Sequence, residues 1–207
     1  MKKYWITLLK MFVFLLVLFA TMRIVFLIKY WSLVMLGEIP FGEIIKGFWA
    51  ALPLDVATAS FMLAIPAIYM FVALLVDKDT LFAPLRWYFY LIVAVYNLVA
   101  FGDIGIYGEW RTKLSYRALM YLQNPSEVIN TAETEQTLLL IVLWTFFTIL
   151  FCWLYTKFVE PKELALNREE SRPNKLILFG SFVLVVGILF LGMRGGLNEI
   201  PITSSKV

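Results

Sequence analysis

Five stretches of this chain are apolar over the length that crosses a hydrocarbon core, about 20 residues, and this most limits what the chain can become. A backbone in lipid must satisfy its own hydrogen bonds, so each stretch is a helix or a strand of a closed barrel. Crossing strands alternate in polarity over about ten residues, and nothing here alternates. The expected fold is therefore an all-α integral membrane protein, a bundle of five transmembrane helices. The spans run over about 4–28, 47–76, 87–106, 137–158 and 176–193. Composition agrees: 61% of the 207 residues are hydrophobic and 16% charged, where soluble domains have about 45–50% and 25%. An odd number of spans puts the termini on opposite faces.

The same composition removes several kinds of chemistry. With no histidine, the chain has no His-based triad, no imidazole haem ligand and no His-containing zinc site. The single cysteine, Cys152, excludes an internal disulfide and CxxC redox chemistry. A formal charge of +3, scattered along the chain, gives no stripe for nucleic acid.

Lys and Arg set the expected orientation. Setting aside Arg23, ten of them fall on the N-terminal side of the membrane and seven on the other. The N-terminus is thus expected in the cytoplasm and the C-terminus outside. The first apolar stretch exceeds the 7–15 residues of a signal-peptide core, and no A-x-A site follows it, so it reads as an uncleaved helix. Trp5, Trp87 and Trp153 fall toward the inner interface and Trp31, Trp49 and Trp110 toward the outer one, as membrane anchors do.

The first outer connection, KYWSLVMLGEIPFGEIIKG, is apolar enough to lie along the interface. The second contains Gly102, Gly105 and Gly108 at three-residue steps, which suit close helix contact or an unwound helix end. It continues into an amphipathic segment, 113–122, with Tyr116, Leu119 and Met120 near one face, stopped by Asn124 and Pro125. Together with Trp110 these residues are candidates for docking at the membrane interface. No internal repeat relates the two halves, so an inverted-repeat transporter is not supported.

Ionisable residues within spans are costly and mark candidate sites. Arg23 and Asp55 both fall roughly 8–12 Å below the outer surface at 1.5 Å per residue, and they are expected to pair across the first two helices. Such a pair has two readings: an ion pair that fixes helix register, or a polar pocket that receives a lipid head group. Asp103, Arg111 and Arg194 lie toward the same side and are candidates to join that pocket, since the arginine fork suits phosphate. Asn97 is expected to bond between helices, and Ala57, Ser60, Ala64 and Ala67 to form a close-packing face, as do Gly180 and Gly187.

The ending RGGLNEIPITSSKV, residues 194–207, resembles the junction in the lipoteichoic acid synthase family between the last membrane helix and an extracytoplasmic sulfatase-like domain. Five spans with an outward C-terminus also match that family. So do Asp55 in ALPLDVATA and the stretch with Asp103, Tyr107 and Gly108. Where the family carries Gly-Leu-Arg-Phe before the second-span aspartate, this chain has Leu52, Pro53 and Leu54, leaving Arg23 as a candidate replacement for the missing arginine.

The resemblance implies a bacterial cytoplasmic membrane protein that transfers phosphoglycerol or a similar phospho-group from a lipid. On that reading residues 1–193 are the membrane domain and 194–207 the junction to a C-terminal extracytoplasmic catalytic domain. That domain would supply a threonine nucleophile and a divalent metal, commonly manganese; this chain itself is expected to hold no catalytic residue, metal or cofactor. Its partners would be membrane lipids, including the lipid-linked phospho-donor, and the catalytic domain. Alternatives are a phosphoethanolamine transferase-type membrane domain, a non-enzymatic scaffold that binds a partner protein, and a small transporter or channel component.

Overall fold

The computed structural model describes residues 2–36, 40–76, 83–110, 134–160 and 175–195, and all regular structure among them is helical. The helices are α1 (Lys2–Lys29), a short α2 (Trp31–Met35), α3 (Phe41–Val76), α4 (Ala83–Trp110), α5 (Thr134–Leu154) and α6 (Lys175–Arg194). A π-helical turn, Tyr155–Val159, extends α5. Five of these helices are long and apolar enough to cross a membrane. The five-helix fold class and its multi-pass membrane character follow directly. The amphipathic segment 113–122, with Tyr116, Leu119 and Met120, lies outside the described residues, as do Arg111 and the side chain of Trp110.

Two helix boundaries differ from those read in the sequence. Helix α3 starts at Phe41, so part of the expected interfacial loop is instead helical. Its first turn is closed by Glu43 N donating to Pro40 O at 2.9 Å, and the Glu43 carboxylate suits a helix N-terminus. At 36 residues α3 is about 54 Å long, against about 30 Å of hydrocarbon. Helix α4 runs unbroken through Gly102, Gly105 and Gly108, because Gly105 serves packing rather than unwinding.

The chain divides into two compact units. The first contains α1, α3, α6 and the π turn. Tyr4, Leu8, Met11, Leu15, Leu18 and Met22 recur at three- or four-residue steps along α1 and are buried, giving one inward stripe. Tyr4 donates from its hydroxyl to Ala67 O at 3.4 Å, and Phe14 meets Tyr155 edge to face at 5.7 Å. The π turn, in which Glu160 N reaches back five residues to Tyr155 O at 2.9 Å, carries the fully buried Tyr155. Beyond it, Glu160 accepts from Arg86 Nε at 2.6 Å.

Helices α3 and α6 run antiparallel. Phe71 stacks on Phe182 with centroids 4.0 Å apart, and Gly192 lies against Ser60 and Val56. Ala57, Ser60 and Ala67 are buried on α3, as their small size and spacing predict. Gly180 and Gly187 are exposed, with nothing within 4 Å of where a Cβ would stand. The close contact of α6 is made at Gly192, one turn nearer its end.

The second unit, Phe89–Leu154, pairs the greater part of α4 with α5. Asn97 Nδ2 donates to Thr148 Oγ1 at 3.3 Å, so the expected interhelical bond is present. Trp144 Nε1 donates to Ala94 O at 3.0 Å, and a Cβ on Gly105 would lie 2.9 Å from Leu140 Cδ1.

Candidate functional site

Arg23 and Asp55 form an ion pair that joins two spans within their apolar lengths. Helix α1 brings Arg23 one residue beyond its last buried residue, Met22. Helix α3 brings Asp55 as the first of its buried residues, two before Ala57. The contact has two prongs: Arg23 Nη1 donates to Asp55 Oδ2 at 2.6 Å, and Nη2 to Oδ1 at 2.5 Å. The Arg23 side chain is 29% exposed and that of Asp55 11%. The carboxylate is therefore the enclosed partner, and the guanidinium keeps an open edge.

That edge has donors to spare. A guanidinium carries five N–H groups, two of which Asp55 uses, and no other acceptor meets Arg23 among the described residues. Two neighbouring hydroxyls turn inward to their own helix: Thr58 Oγ1 donates to Leu54 O at 2.8 Å and Ser60 Oγ to Val56 O at 2.7 Å. They cap carbonyls and leave the site to the charges.

Arg194 ends α6, exposed. Because Gly192 of α6 lies against Ser60 of α3 and the helices are antiparallel, Arg194 stands within about 5 Å of Asp55 in height along α3. The first unit thus gathers Arg23, Asp55 and Arg194 at one end. Asp103 is half-buried on α4 in the second unit, and Arg111 is outside the described residues.

Counted by formal charge alone, Arg23, Asp55 and Arg194 carry one net positive charge, which suits a phosphodiester. The one carboxylate of the set, Asp55, has both oxygens engaged by Arg23. Among the described residues no three His, Cys, Asp or Glu side chains stand together, so these residues do not fit the divalent metal that the resemblance implies for the catalytic domain.

Sequence reasoning missed three features. Tyr88 and Tyr4 cap backbone carbonyls of α3, Gly192 makes the close contact in place of Gly180 and Gly187, and the exposed row on the first turns of α3 went unseen. The last had a signal: Phe41, Ile45 and Trp49 are four residues apart.

Compared with models of known protein families, with curated proteins and with solved structures, the chain matches none.

Proposed function

We propose that this bundle is the membrane part of a sulfatase-superfamily transferase resembling lipoteichoic acid synthases, and that it holds the phosphate of a lipid-linked donor at Arg23 and Arg194. The N-terminus lies in the cytoplasm and the Arg23–Asp55 end faces outward. There, a donor confined to the outer leaflet meets an extracytoplasmic catalytic domain tethered at high effective concentration. The observation that carries this reading is the two-pronged pair with its open guanidinium edge. Asp55 fixes the fork, and the remaining donors aim at a second anion. The nucleophile and divalent metal belong to the catalytic domain, and this chain supplies position.

The test is native mass spectrometry of the purified chain with phosphatidylglycerol or phosphatidylcholine. Retention of the anionic lipid, weakened at least tenfold by Arg23→Gln combined with Arg194→Gln, is the expected result; an energy of about 1.4 kcal/mol suffices. Equal retention of both lipids, or no effect of the double substitution, defeats the reading. An immunoblot of source-cell membranes against the loop around Trp110 then asks whether the catalytic domain shares the polypeptide.

A further inference from the structure

We draw no further inference here: the strongest candidate, the exposed Lys10 set among the exposed apolar side chains Leu9, Val13 and Val17 on the face of α1 away from its buried stripe, carries nothing because nothing in the structure shows what covers it, a lipid phosphate or a carboxylate of another protein.

Discussion

The Tyr88 hydroxyl donates to the backbone carbonyl of Met62 at 2.7 Å, and Met62 is the residue whose carbonyl Pro66 deprives of a helical donor. An α-helix bonds each N–H to the carbonyl four residues earlier, and proline has no N–H. In hydrocarbon no water replaces it, so α3 tolerates Pro66 because α4 brings a phenol to the orphan.

Tyr88→Phe is accordingly expected to destabilise the first unit by about 1–2 kcal/mol, the cost of a buried acceptor left unmade. In a Pro66→Ala background the restored N–H serves Met62, and the same change is expected to cost less than half as much. Thermal unfolding in detergent of the four proteins of this cycle measures the coupling; equal costs in both backgrounds refute it.

The Arg23–Asp55 pair makes a different demand. Removing Asp55 alone strands a cation, and breaking a fully buried pair costs about 3–5 kcal/mol. Arg23 is 29% exposed, so Asp55→Ala is expected at about 2–3 kcal/mol once that exposure is discounted. Arg23→Lys also destabilises, because an ammonium cannot present the two parallel donors. Arg23→Gln with Asp55→Asn, which leaves two neutral amides, is expected to be more stable than Asp55→Ala. Unfolding by heat at fixed detergent orders the variants, and Asp55→Ala at wild-type stability contradicts the pairing.

The legible and illegible parts of this fold divide by mechanism. Hydropathy predicts the five spans because bilayer thickness acts on each segment separately. Arg23 and Asp55 were also legible: each charge is too costly to stand alone in lipid, and their matched depths leave little choice of partner. The helix that contacts a glycine is set by tertiary packing, which is why spacing singled out Gly180 and Gly187 and passed over Gly192. The π turn at Tyr155–Val159 has no composition of its own. The early start of α3 was hidden because residues 41–52 have helical spacing but no continuous apolar run. Asp103, Arg111 and Arg194 were proposed from charge alone, and only Arg194 shares a described unit with Arg23 and Asp55.

Within the second unit Asn97 is fully buried and donates to Thr148, while its Oδ1 meets no donor among the described residues. Interhelical bonds of this kind in membranes average about 0.6 kcal/mol and reach about 1.7. Thr148→Val is expected to cost about 1 kcal/mol or slightly more, because it strands the amide as well. Asn97→Leu with Thr148→Val, which removes both polar groups, is expected to recover most of it. Steric trapping of the α4–α5 pair in bicelles reads this difference, and a double variant weaker than Thr148→Val alone excludes the polar-pair account.

The contact of Gly192 with Ser60 sets a steric limit rather than a polar one. A Cβ on Gly192 would lie 3.0 Å from Ser60 Cβ and collide with Ser60 Oγ. That hydroxyl is held by its bond to Val56 O, so it yields only by breaking that bond or parting the helices. Gly192→Ala is expected to destabilise by about 1–3 kcal/mol, the usual cost of overpacking. Ser60→Gly in the same chain makes room and is expected to restore most of the loss. Gly187→Ala, with open space around it, is expected to change stability by less than about 0.5 kcal/mol in the destabilising direction, or to stabilise through helix propensity. Thermal unfolding of the three variants in one detergent compares them. A loss at Gly187 equal to that at Gly192 would show that α6 meets α3 through a different face.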